Sequence, residues 1–301
     1  MPLVNTKNML TKALKKGYAI PAFNICNMET AKAVVKASEK LQKDTIISVS
    51  EGALSYAGAE TIVAIVKSLT EKSKTNFALH LDHGKSYEVC KKAIDTGFTS
   101  VMIDGSSLSF EENIKLTQKV VKYAHSKNVT VEAELGKILG VEDMVSSSIE
   151  HFTDPMEAKE FVEKTNVDSL AISIGTAHGI NKGTKNPIIQ FNVIESVHKA
   201  LPTLPLVAHG SSSIPKHLVE SINKNGGIIK KSQGISSENI SKMSKTAICK
   251  INIDSDLRLG FTSGVRECLN NSKDVFDPRK YLGKAMEEVQ KQAEEIFKIL
   301  N

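Results

Sequence analysis

The sequence predicts an α/β fold, a (β/α)8 TIM barrel, on three observations. Short β-rich runs alternate eight times with amphipathic helical stretches, the pattern of parallel strands joined by crossover helices. Nearly every run starts apolar and ends polar or ionisable, as expected where chemistry gathers at the C-terminal ends of barrel strands. The length of 301 residues suits one such barrel, typically ~250 residues. The rival, a doubly wound sheet, usually carries a Gly-rich turn after its first strand. Here FNICNMET (23–30) has no glycine.

The elements follow in order. A helix near 5–16 precedes the first run, YAIPAFN (18–24), and a helix over 28–43 follows it. TIISVSE (45–51) leads to a helix over 58–73, and NFALHLD (76–82) to one over 86–96. SVMID (100–104) precedes a helix over 110–127. TVEAEL (130–135) precedes one over 155–165, where Asp154 supplies a cap and Pro155 the first helical position. SLAISIG (169–175), LPLVAH (204–209) and KINID (250–254) are followed by helices over 188–200, 215–225 and 256–271. A last helix spans 281–300. Eight units plus a helix at each end fill the chain, so a single domain over 1–301 is expected.

Composition removes several classes. At 41% hydrophobic and 24% charged residues, disorder, collagen and coiled coil are poor readings. The charge sum is 39 − 34 = +5, but the lysines are spread as a solvated helical surface, so no nucleic-acid partner is expected. Aromatics are 5% with no Trp, which argues against stacking platforms. Cys26, Cys90, Cys249 and Cys268 are far apart and form no CxxC pair. This argues against a disulfide framework or a thiolate zinc site. MPLVNTKNML lacks the plan of a signal peptide, and no apolar run approaches the ~20 residues of a transmembrane helix. The reading is a cytoplasmic protein with no membrane partner.

The strand ends carry the chemistry. They read Asn24, Ser50-Glu51, Asp82-His83, Asp104, Glu132 with Glu134, Thr176 to Gly179, His209-Gly210, and Asn252 to Ser255. His83, His178 and His209 end the third, sixth and seventh runs. A strand-end histidine is either a hydrogen-bonded wall residue or a ligand. Three on one mouth make the ligand set of an open zinc site, with a fourth position for substrate or water. Glu132 and Glu134 share a face, as do His80 and Asp82. Carboxylates inside a barrel need a cation or dense hydrogen bonding. Lys250 alternates in step with Asn252 and Asp254, deeper in the barrel, and is expected to pair with Glu132 as scaffold. Asp104 and Glu134 either bind metal directly or orient the histidines.

Gly210-Ser211-Ser212-Ser213-Ile214-Pro215 follows the seventh run and opens a helix. It is either a plain cap or an anion site of N–H groups and hydroxyls. Asn252-Ile253-Asp254-Ser255 leads into a helix after the eighth run. Loops after strands seven and eight are the usual phosphate site of this fold. Lys182 and Arg258 lie within reach of such a phosphate. The stretch 137–153 is the longest connection at the mouth and reads as a lid. Its Glu142 is either an acid/base or a solvated loop acid.

These residues sit in segments that resemble the zinc-dependent class II fructose-bisphosphate aldolases, in their shorter subgroup related to tagatose-bisphosphate aldolases. The segments are AFN (22–24), SEGA (50–53), HLDHG (80–84), GFTSVMIDGS (97–106), VEAELG (131–136), GTAHG (175–179), HGSSSIP (209–215), KINIDSDLR (250–258) and DPRKYLG (277–283). They run in the family's order over nearly the whole chain. Three departures are small: Ala171-Ile172-Ser173 in the sixth run, Ser211, and Gly105.

The resemblance implies His83, His178 and His209 as zinc ligands. Asp82 exchanges a proton with the substrate's C4 oxygen, and Glu142 handles the proton at C3. Asp104 and Glu134 hold a second divalent metal position. Gly179, Lys182, Gly210, Ser211, Ser212, Asn252, Ile253, Asp254 and Ser255 form the dihydroxyacetone-phosphate site. Ser50 and Arg258 contact the other phosphate, with Asn24 nearby. Carbonyls near Gly179 and Ser211 hold a monovalent cation, Na+ or K+. Asp254 favours fructose 1,6-bisphosphate, because tagatose-preferring relatives often carry Ala there. The resemblance also implies a homodimer or homotetramer, with Asp277-Pro278-Arg279 placed to reach a neighbouring subunit's site. Three rivals stand beside this reading: a tagatose-bisphosphate aldolase, a Schiff-base aldolase, and a non-catalytic sugar-phosphate-binding barrel. The second needs a lysine at the mouth, and the third a damaged Asp82 or histidine set.

Overall fold

The computed structural model describes residues 3–142, 145–147, 151–180 and 187–300; for 139–142 and 145–147 only the backbone is described. Its centre is a closed barrel of eight parallel strands: β1 (Ile20–Asn24), β2 (Thr45–Ser50), β3 (Phe77–Gly84), β4 (Ser100–Ile103), β5 (Thr130–Leu135), β6 (Ser169–Ile172), β7 (Leu206–Ala208) and β8 (Ile248–Ile253). Sequential strands are neighbours, and β8 closes the ring against β1 with Ile20 opposite Lys250 and Phe23 opposite Ile253.

Alternation along each strand sorts its side chains into two cores. Outward residues such as Phe23, Ile47, Leu79, Leu81, Val101 and Ile251 pack under the helices. Inward Ile20, Ala22, Ile46 and Ala78 meet Met9, Leu10 and Ala13 of the helix Thr6–Lys16, which plugs the N-terminal end. There the Thr6 and Thr130 hydroxyls lie 2.8 Å apart. At the other terminus the helix Pro278–Ile299 packs on the helices Met28–Leu41 and Ser255–Asn271, and Phe297 stands edge-on to Phe23 at 5.4 Å. Asp154 caps the helix Pro155–Thr165 as its sequence suggests, accepting from the Met156 and Glu157 N–H groups.

The elements differ from expectation where local chemistry intervenes. The helix expected over 58–73 is present as Ala59–Thr70, and an unforeseen helix, Glu51–Ala57, precedes it: the Ser50 hydroxyl caps this extra helix and Gly58, at φ 82°, separates the two. Ser236 caps an unforeseen helix, Ser237–Ser244. The stretch read as a lid contains two short strands. Leu139–Glu142 pairs antiparallel with Val145–Ser147 and parallel with Ala177–His178, which ties that stretch to a histidine of the mouth. β3 runs through Gly84, past its expected end. A register shift between Leu81 and Gly84 bends the chain there, and His83 adopts a left-handed φ of 49°.

Candidate active site

Three histidines reach the same point from three strands. The bend in β3 turns His83 into the mouth. His209 follows β7, and His178 lies in the short strand beside the lid stretch. Gly210 makes their approach possible: a Cβ there would meet the Ala177 backbone at 2.7 Å. All three histidines are buried, and one ring nitrogen of each lies within 4.8 Å of the others. His83 Nε2 and His209 Nδ1 face each other at 2.8 Å.

The opposite ring nitrogens are held by carboxylates. His83 Nδ1 meets Asp104 Oδ2 at 3.0 Å, and His209 Nε2 meets Glu132 Oε1 at 2.7 Å. This is the arrangement that fixes the tautomer of a metal-binding imidazole. Asp104 Oδ1 accepts from the Ser106 N–H and hydroxyl. Asp104 therefore orients His83, while its position beside Glu134 also completes a second possible ligand group, His83–Asp104–Glu134.

The electrostatics favour a cation. Burial opposes charge on His83, but Asp82, Asp104 and Glu134 outweigh it and carry its pKa well above the ordinary value. Burial and the neighbouring Asp104 push Glu134 up as well, above the usual carboxylate range, and its Oε2 has no hydrogen-bond partner among the described residues. A site that draws a proton onto an imidazole, and holds an unsatisfied carboxylate oxygen, suits a divalent ion. Three imidazoles with an open position suit zinc.

Asp82 sits against this cluster, 1% exposed. Burial would raise its pKa, but the charges of His83, Lys250 and His209 carry it below the carboxylate range. Two carboxamides clamp it: Asn24 Nδ2 donates to Oδ2 at 2.8 Å and Asn252 Nδ2 to Oδ1 at 2.9 Å. Asn24 and Asn252, read from the sequence as substrate contacts, thus first fix the carboxylate. Among the described residues their own Oδ1 atoms have no hydrogen-bond partner.

Beneath lies the expected scaffold pair. Lys250 Nζ, fully buried, donates to both oxygens of Glu132 at 3.0 and 2.8 Å and lies 3.2 Å from His80 Nε2. It is committed there and away from the mouth, where a Schiff-base lysine would have to stand.

The remaining predicted residues line two neighbouring zones. Ser212 Oγ accepts from the Asp254 N–H at 3.2 Å, joining the loop after β7 to the end of β8 with its Ile253 and Ser255. The Ser211 hydroxyl donates to the His209 carbonyl at 3.2 Å, and Gly179 sits at φ 81° just past His178. Asn24, Ser50, Asp254 and Arg258 line a cavity of ≈ 280 Å³ with Ile25, Cys26, Leu257 and Phe261. Arg258 Nε donates to Asp254 Oδ1 at 2.7 Å, so this arginine reaches the cavity as half of an ion pair. The side chain of Glu142 and the whole of Lys182 lie outside the described residues. Sequence reading passed over Ser106 and the fully buried Asp256. The available signals were a serine two residues past Asp104 and a second acid just past the strand-eight end.

The comparisons agree with this geometry. The family model "Fructose-bisphosphate aldolase class-II" matches residues 4–301. The chain belongs to the class-II fructose-bisphosphate aldolase family. A fructose-bisphosphate aldolase of Treponema pallidum is 44% identical over 308 residues, covering 96% of this chain and 93% of that one. One of Thermus caldophilus is 44% identical over 300 residues, covering 98% of each. Among solved structures, the YdjI aldolase of Escherichia coli K12 superposes with a TM-score of 0.80 at 30% identity, covering 99% of this chain and 97% of that one. For a class-II aldolase, a polar mouth ringed by three histidines is the part of the barrel where cofactor and substrate belong.

Proposed function

We propose that this chain catalyses the reversible aldol cleavage of fructose 1,6-bisphosphate to dihydroxyacetone phosphate and glyceraldehyde 3-phosphate. In this reading it is a lyase that uses one zinc ion held by His83, His178 and His209. The observation that carries the proposal is Asp82, clamped by two carboxamides, against three converging imidazoles. When bound, the ion supplies a Lewis acid for the ketose carbonyl and for the charge that develops beside it.

The chain's own groups move the protons. Asp82 takes the proton of the C4 hydroxyl. The C3–C4 bond breaks, C4 becomes the aldehyde carbon, and the electron pair stays with the dihydroxyacetone phosphate half. Glu142 then delivers a proton to C3, and condensation runs these steps backwards. Asn24 and Asn252 keep both Asp82 oxygens aimed, which limits the geometries that must be searched. Gly179, Lys182, Gly210, Ser211, Ser212 and residues 252–255 take the phosphate of the dihydroxyacetone half. Ser50 and Arg258 take the other, with Asp254 selecting the fructose epimer. Asp104 and Glu134 offer a second divalent position beside His83, and carbonyls near Gly179 and Ser211 a monovalent one.

The same reading places a single 301-residue domain in the cytoplasm as a homodimer or homotetramer, which light scattering on the purified protein tests. The deciding experiment is a cleavage assay with fructose and tagatose bisphosphates, with and without chelator. Chelator-sensitive cleavage that favours fructose supports the proposal. Preference for tagatose moves the substrate, and no cleavage of either epimer by metal-loaded protein leaves only a binding barrel.

A further inference from the structure

The loop after β7 contains a conformation its sequence would not choose. Ile214 sits at φ 50°, in the left-handed region, where a β-branched side chain is an outlier. Two contacts hold it. Its side chain is buried against Leu218, Val219, Ile222 and Leu259. Its N–H donates to Asp256 Oδ1 at 2.7 Å, while the Ser213 N–H and hydroxyl donate to Asp256 Oδ2 at 2.8 and 3.0 Å. Asp256 is fully buried in the first turn of the helix Ser255–Asn271. One carboxylate from the β8 side therefore fixes the loop from the β7 side.

We infer that Asp256 is a positioning residue for phosphate, holding the Ser211–Ser212 segment in its anion-receiving shape by clamping Ser213 and Ile214. This rests on the proposed reaction and deepens its phosphate site. The carboxylate consumes the two N–H groups that come next in the loop, so they cannot wrap an anion in a competing pose. Buried hydrogen bonds to a charged acceptor are strong enough to hold a strained backbone. The strain is local to one residue, so the function of the clamp is separable from the clamp itself. A glycine at 214 adopts this φ without strain and lessens the need for the clamp, at the cost of the packing against Leu218, Val219, Ile222 and Leu259.

The test pairs two measurements across Asp256→Ala, Asp256→Asn, Ile214→Gly and the double variant Asp256→Ala/Ile214→Gly. One is steady-state cleavage of fructose 1,6-bisphosphate by metal-loaded enzyme, with metal per chain determined. The other is calorimetric binding of inorganic phosphate, which judges the clamp even if wild type cleaves nothing and the proposed reaction falls. Asp256→Ala is expected to raise KM and weaken phosphate binding by about tenfold, with kcat within about threefold and metal content unchanged. The double variant should recover most of that loss. Asp256→Asn, which keeps shape but turns one acceptor into a donor, should show a smaller shift in the same direction. The inference is overturned if phosphate binding and KM stay at wild-type values in both Asp256 variants. It also falls if in Asp256→Ala KM rises while kcat and metal content drop with it, and the double variant restores none of them.

Discussion

Two adjacent layers of the barrel interior follow opposite rules. In the lower one, Lys250 bridges both oxygens of Glu132 and lies beside His80, whose other nitrogen meets the Ser100 hydroxyl at 2.8 Å. Every charge there has a partner, as buried ions require. In the upper one, Glu134 crowds Asp104 and two imidazole nitrogens face each other, while among the described residues one Glu134 oxygen and the Asn24 and Asn252 carbonyl oxygens lack partners. Matched charges hold a fold, whereas unmatched buried groups mark where a ligand is expected. Glu132 belongs to both layers, since one of its oxygens also orients His209.

Metal removal breaks the comparison most severely. Exhaustive EDTA treatment should abolish cleavage, and added Zn²⁺ should restore it; activity that survives chelation would mean the upper layer is not a metal centre. Next comes Asp82→Ala, which should lower kcat by ~10²- to 10⁴-fold, the usual share of a positioned acid/base, while metal content holds. A kcat near wild type would remove Asp82 as the C4 proton carrier.

The lower layer should fail differently. Lys250→Met leaves Glu132 buried without its cation, at a cost of ~3–5 kcal/mol, read as a fall in Tm of the metal-free protein. Glu134→Gln, in the upper layer, should leave that Tm within the shift of about 1 kcal/mol and instead weaken catalysis and metal binding. Equal losses of Tm in the two variants would erase the distinction between the layers.

Acid separates them by sign. Lys250 and His209 overcome burial and hold Glu132 down to about 2, so its stabilisation is present above the ordinary value of 4.5 and is lost as pH falls towards 2. Glu134 is raised by burial and Asp104, so ionising it costs stability as pH rises past the ordinary value. Between about pH 7 and pH 5, metal-free wild type should therefore gain Tm relative to Glu134→Gln. A parallel response would mean that Glu134 is not held protonated by its surroundings.

Much of this was legible in the sequence because barrel strands write their function at their ends. The eight runs, the three histidines and the Lys250–Glu132 pair follow from alternation along strands, which is local and short. Hidden from sequence were contacts made across elements. That Asn24 and Asn252 grip both oxygens of Asp82 depends on how three strands close around one point. The Asp254–Arg258 pair, four residues apart at one helix end, was within reach of the sequence, and Asp104 takes toward His83 one of the two roles the sequence left open. The helix Glu51–Ala57 was readable in principle, since Ser50 can cap it and Gly58 ends it. At seven residues it is too short to show an apolar period of its own.

The smallest expected effect tests the cavity beside these layers. Asp254 lines it with Asn24, Ser50 and Arg258, and its Oδ1 is engaged by the Arg258 guanidinium. Replacing it with alanine does two things at once: it removes a polar group near the proposed C4 end of the substrate, and it releases Arg258. The second change alters phosphate contacts for both epimers alike, so KM for either one alone is uninformative. The ratio of kcat/KM for fructose over tagatose bisphosphate cancels the shared term. That ratio should fall by about threefold to tenfold in Asp254→Ala, the scale of one hydrogen bond of ~1 kcal/mol. An unchanged ratio with altered KM values would assign Asp254 to holding Arg258 and leave epimer selection to the Asp82 clamp.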